Sequence, residues 1–140
     1  MSRIKIDFPE RSIFSTQINV RVTDLNYGNH LGNDALLSIL HEARIQFLRH
    51  FNYTELDIEG ESLIMSDAAI QYISEAFYGD QLKIEIGVGD FTRAAFDIFY
   101  KVICEERIVA IAKTGMIFYN YEMKKVISIP DRFIDKIKQQ

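Results

Sequence analysis

A single change of hydrophobic period divides this chain. From Asp34 to Phe51 the apolar residues Leu36, Leu37, Leu40, Ala43, Phe47, Leu48 and Phe51 recur at helical spacing. Ala35, Ile39 and Ile45 widen that stripe, as a helix largely wrapped by other structure requires. Beyond it the period drops to two and stays there. Leu63 to Ile73 is a long apolar-rich run; Leu82, Ile84, Ile86 and Val88 alternate with polar or small residues, as do Phe96, Ile98, Tyr100 and Val102. A last strand is expected over 108–119. Tyr78-Gly79-Asp80 and Glu105-Glu106 mark turns, and an earlier strand is expected over 16–22. Asn52 suits a helix stop, and 132–138 suits a short terminal helix behind Pro130.

Consecutive strands with short connections pair antiparallel, and one helix covers one face of a sheet. The class expected is therefore α+β: one long central helix on a curved antiparallel sheet. With 140 residues, 48% of them hydrophobic, the chain has material for one core, so a single domain over 1–140 is expected. No linker or repeat interrupts it. No apolar run is long enough to cross a bilayer, and the opening residues lack the apolar centre of a signal peptide. Cys104 is alone, so no internal disulfide is expected, and a cytoplasmic location is the default. The net charge of −4 disfavours nonspecific nucleic-acid binding.

Between the first strand and the helix, Asp24-Leu-Asn-Tyr-Gly-Asn-His-Leu-Gly-Asn33 is rich in Asn and Gly and reads as a loop. Asp24 stands where strand passes to loop, a common position for a catalytic group, though on the residues alone an ordinary loop Asp making an Asx turn is the preferred reading. Gly32 either lets a ligand approach the backbone or serves a turn. His30 is either a site residue or structural, and Asn33 or Asp34 is available as helix N-cap. There is no Gly-x-Ser-x-Gly elbow, P-loop or His-Glu-x-x-His, and His30, His41 and His50 have no metal-binding spacing.

The run Val20-Arg-Val-Thr-Asp-Leu-Asn-Tyr-Gly-Asn-His-Leu-Gly-Asn33, then His41-Glu-Ala-Arg44, resembles the 4-hydroxybenzoyl-CoA thioesterase-like branch of the hotdog superfamily. Tyr72-Ile-Ser-Glu-Ala-Phe-Tyr-Gly-Asp80 resembles that family's second-strand and turn region. The family often carries Asp-x-Asp and His-x-Asn-Asn where this chain has Asp24-Leu-Asn26 and His30-Leu-Gly-Asn33. The resemblance implies a hotdog fold, a homodimer or homotetramer, and hydrolysis of an acyl-CoA thioester without metal or redox cofactor.

On that footing Asp24 is the expected general base or nucleophile. His30 orients water, bonds the carbonyl or positions Asp24. Backbone N–H groups at Leu31 and Gly32, before the helix N-terminus, are the expected oxyanion donors. Asn33 is a cap or a substrate contact. Asp67, in an apolar strand, is expected either at the substrate or in a paired structural role. Arg93 is a CoA phosphate contact or a solvated turn charge, and Glu42 a structural partner on the helix. The alternative function is a hotdog protein that binds acyl-CoA or acyl carrier protein without turnover; an acyl-thioester dehydratase ranks third.

Overall fold

The helical stripe folds as α1 (Asn33–His50), and the period-two segments fold as strands. These are β1 (Phe14–Asn19), β2 (Ser62–Tyr72), β3 (Gln81–Gly89), β4 (Ala95–Cys104) and β5 (Arg107–Asn120), followed by a two-residue β6 (Lys125–Val126) and α2 (Asp131–Lys138). The computed structural model describes residues 2–139; Met1 and Gln140, the outer bounds expected for the domain, lie outside the described residues.

All the pairings are antiparallel, in the order β1-β3-β4-β5-β2, with β6 on β5. β2 thus returns past three strands to close one edge, and α1 is the element that carries the chain there. Tyr100 and Thr114 turn inward with Phe96, Ile98, Ala110, Ala112 and Phe118, and pack with Leu36, Leu40 and Phe47 of α1. The opposite faces of β4 and β5 carry Asp97, Lys101 and Lys113, as the two-residue side-chain period demands. α2 closes the core at one end, where the buried Phe133 ring stands 5.2 Å from Phe96 and 5.3 Å from Phe118.

Two boundaries differ from the sequence pattern. β1 ends at Asn19, and Val22–Asp24 turns instead as one 3-10 segment. That turn follows from Asp24, whose carboxylate reaches back to the Arg21 amide at 2.8 Å. Asn33 is the first helical residue rather than the cap; Gly32 occupies the cap position without a side-chain hydrogen bond. The Asn33 carbonyl accepts a hydrogen bond from Tyr72 Oη at 3.0 Å, tying α1 to β2. At its other end α1 stops before Asn52, whose φ of 65° is the left-handed conformation that terminates helices. Among the described residues no helix is long and apolar enough to cross a membrane.

Candidate active site

The loop before α1 is folded on itself. Leu25 and Leu31 form an antiparallel bridge, the Asn26 N–H donates to the His30 carbonyl at 2.8 Å, and Asn26 Oδ1 accepts from the Gly28 N–H at 2.8 Å. This brings residues 31–33 beside the segment that follows β2. A cavity of about 260 Å³ opens between them. Leu31, Gly32, Asn33 and Leu36 line one side; Tyr72, Ser74, Glu75 and Ala76 line the other.

The N–H groups expected to receive an oxyanion are already used. Leu31 donates to the Ala76 carbonyl at 2.8 Å and Gly32 to the Asp24 carbonyl at 2.9 Å. Both residues precede α1, where the chain crosses its neighbours and must satisfy its own donors. The unspent amides lie just downstream. Leu36 makes the first helical bond, to the Gly32 carbonyl at 3.1 Å, so the N–H groups of Asn33, Asp34 and Ala35 have no acceptor among the described residues. A Cβ at Gly32 would stand 2.8 Å from Asp34 Oδ1, the end of an exposed side chain that can swing aside, so the backbone here does not itself demand glycine.

Asp24 is not an exposed loop residue; only 4% of it is exposed. Arg21 holds both carboxylate oxygens, donating from its amide and Nε to Oδ2 (2.8 and 3.2 Å) and from Nη2 to Oδ1 (3.2 Å). Burial pushes the Asp24 carboxyl up, but the hydrogen bonds and charge of Arg21 outweigh it and hold the group below the usual carboxylate value. Asp24 is absent from the cavity lining, which its peptide reaches only through Gly32.

His30 pairs with a residue that the sequence pattern did not single out. Its Nδ1 lies 3.0 Å from Glu75 Oε2, and its ring stands 5.2 Å from Phe77. Glu75 lines the cavity directly. Arg107 flanks the same segment, donating to Ser74 Oγ at 3.1 Å and to the Glu75 carbonyl, with Asp80 at 3.4 Å. Glu75 lies within the stretch Tyr72–Asp80 that carries part of the family resemblance. Nothing in that stretch signals its pairing with a histidine 45 residues earlier.

A family model described as the thioesterase-like superfamily matches residues 20–137. The chain belongs to that superfamily. Its enzyme class is accordingly thioester hydrolase. A 1,4-dihydroxy-2-naphthoyl-CoA hydrolase from Microcystis aeruginosa is 32% identical over 99 residues, 69% of this chain and 72% of that protein. The crystal structure of a 1,4-dihydroxy-2-naphthoyl-CoA thioesterase from Synechocystis superposes with a TM-score of 0.80 at 19% identity, covering 89% of this chain and 95% of that one. A gentisyl-coenzyme A thioesterase structure gives 0.77 at 16% identity, covering 86% and 99%. The architecture is that of the hotdog thioesterases.

In this thioesterase-like chain the remaining expected site residues lie apart from the cavity, except Asn33. Asp67 sits at a bulge in β2, where it accepts from Lys113 Nζ at 2.9 Å and from the Gly115 N–H at 3.0 Å. Lys113 projects from the sheet face turned away from α1, so Asp67 is an ion-pair partner there. Arg93 donates to Ser128 Oγ at 2.9 Å, close to the Phe118 end of β5. The cavity touches β5 at Val109, roughly 30 Å of strand away. Glu42 is exposed and accepts from Gln46 Nε2 at 2.7 Å, one helical turn on.

Proposed function

We propose that this chain hydrolyses acyl-CoA thioesters in the cavity at the start of α1, with the thioester oxygen held by the amides of Asn33 and Asp34. The observation that carries this reading is the set of unspent N–H groups at the positive end of an 18-residue helix, beside the His30–Glu75 pair. Glu75 occupies Nδ1 of His30 and leaves Nε2 as its second proton site. His30 takes a proton from water as the water oxygen attacks the carbonyl carbon. The tetrahedral intermediate then collapses, the C–S bond breaks, and the proton passes to the departing CoA sulfur. The products are the free acid and CoA, and the step draws on protein groups alone.

Asp24 as general base or nucleophile is the second reading. Its ionised carboxylate and the hydrogen bond its carbonyl accepts from the Gly32 N–H favour it; its burial beneath Arg21 and its lowered pKa make it a weaker base than a free carboxylate. A hydrolysis panel of acyl-CoAs, followed by release of free thiol, tests the function itself. Binding without thiol release across the panel would favour the non-catalytic acyl-CoA or acyl-carrier-protein reading.

The proposal includes a homodimer, or a tetramer built from it. β2 is the outermost strand of the sheet beyond β5, it is 11 residues long, and Met65 on it is 51% exposed. Such an edge is normally paired or protected. Pairing with a second β2 would bring the partner beside the seam between β2 and α1.

A further inference from the structure

Roughly 16 Å along α1 from Asn33 lies Arg44, 11 residues on. It is only 6% exposed, and burying a guanidinium normally requires that its donors be satisfied. Only Nη1 finds an acceptor among the described residues, Tyr100 Oη at 3.2 Å. That hydroxyl is shared with Thr114 Oγ1 at 2.7 Å. Nε is buried without a hydrogen-bond partner. The nearest carboxylate oxygen, Glu55 Oε1, stands 3.7 Å from it, beyond hydrogen-bond length, and is engaged by His41 Nε2 at 2.8 Å.

A cavity of about 240 Å³ opens at this arginine between α1 and the strands. Leu37, Leu40 and Met65 supply apolar walls, while His41, Arg44 and Thr114 supply polar ones. The two cavities follow the same seam. Tyr72 of β2 reaches Asn33, and Met65 of β2 shares the second cavity with Arg44, so β2 runs beside α1 across the interval.

We infer that the second cavity receives the far end of a medium-length acyl chain bearing an oxygen there, with Arg44 as the specificity-determining residue. This rests on the proposed function, which places the thioester at the start of α1. The chain's methylene groups lie along the apolar wall, and its terminal oxygen accepts from the Arg44 guanidinium. Because Glu55 already offsets the charge of Arg44, a neutral hydroxyl or carbonyl suits the site better than a second carboxylate.

The test uses thioether analogues of hexanoyl-, octanoyl- and decanoyl-CoA, each plain, terminally hydroxylated or terminally carboxylated. Binding to the full chain is measured by calorimetry. Thioethers cannot be hydrolysed, so a protein without turnover would fail the functional reading while still deciding this one. At one of these lengths the hydroxylated ligand is expected to bind about ten- to a hundredfold more tightly than the plain one. Arg44→Met is expected to bring that ratio to near one and Arg44→Lys to retain part of it. The wild-type comparison decides the matter even if Arg44→Met does not fold. Equal binding of plain and hydroxylated ligands at every length overturns the inference, and a preference for the carboxylate overturns the neutral-oxygen assignment. A folded Arg44→Met protein that loses its oligomeric state but keeps the hydroxyl preference shows that Arg44 serves assembly instead, and also overturns it.

Discussion

Arg21 grips Asp24 from three donors within one turn of chain, its own amide, Nε and Nη2, all within 3.2 Å of the carboxylate. The interaction shapes the 3-10 turn and, through the Asp24 carbonyl, holds Gly32 at the head of α1. Asp24→Asn is therefore expected to cost stability, about 1–2 kcal/mol, moderated because Arg21 is largely exposed. The pH dependence has a definite sign. A carboxyl whose folded pKa is lowered contributes stability above its unfolded value, about 4, and loses it as pH falls through the folded value. Urea unfolding should show a gap between wild type and Asp24→Asn at pH 7 that closes below about pH 4. A constant gap would show that the charge is not what stabilises the turn.

Replacing His30 by Gln should lower kcat for thioester hydrolysis by about 10²–10⁴-fold with the fold intact. Glu75→Gln should reduce it less, because it leaves the imidazole in place and removes only its orienting partner. Thiol release, measured beside circular dichroism, checks both. Near-normal turnover in His30→Gln together with loss in a folded Asp24→Asn protein would return the chemistry to Asp24.

Coenzyme A binding should weaken as salt rises, since its phosphates need a cation near the cavity. Arg107, against Ser74 and Glu75, is the nearer guanidinium; Arg93 lies toward the other end of β5. Arg107→Gln should raise the Kd for CoA about tenfold and Arg93→Gln little. Calorimetry at two ionic strengths distinguishes them, and the reverse ranking would revive the Arg93 contact.

Light scattering at micromolar concentration should give at least a dimer. Met65→Lys with Ala68→Lys, two exposed positions on β2, should shift the mass toward a monomer while the far-ultraviolet spectrum stays unchanged. A wild-type monomer would remove the proposed assembly.

Phe133→Ala should destabilise by about 3–5 kcal/mol, because the ring is fully buried against Phe96 and Phe118 and anchors α2. Chemical unfolding checks it. A loss below 1 kcal/mol would mean that α2 is peripheral to the cooperative unit.

By itself, the sequence determined the elements of this protein: α1 from the helical stripe ending at Asn52, the long strands from the two-residue period, and the turns at Gly79 and Glu105, both at positive φ. These are local properties, set within a few residues by backbone geometry and side-chain alternation. The family resemblance added the fold and the reaction class. Tertiary structure alone decided which groups meet. β2 pairs with β5 rather than β3, His30 finds Glu75, Asp67 finds Lys113, and Arg44 comes beneath Tyr100, 56 residues away. Each meeting depends on strand register, where a slip of one residue turns a side chain to the opposite face. The same dependence decided the amides at the helix head: Leu31 and Gly32 are spent on Ala76 and Asp24 because of how the loop packs, and the unspent amides are those of the first turn of α1, Asn33 to Ala35.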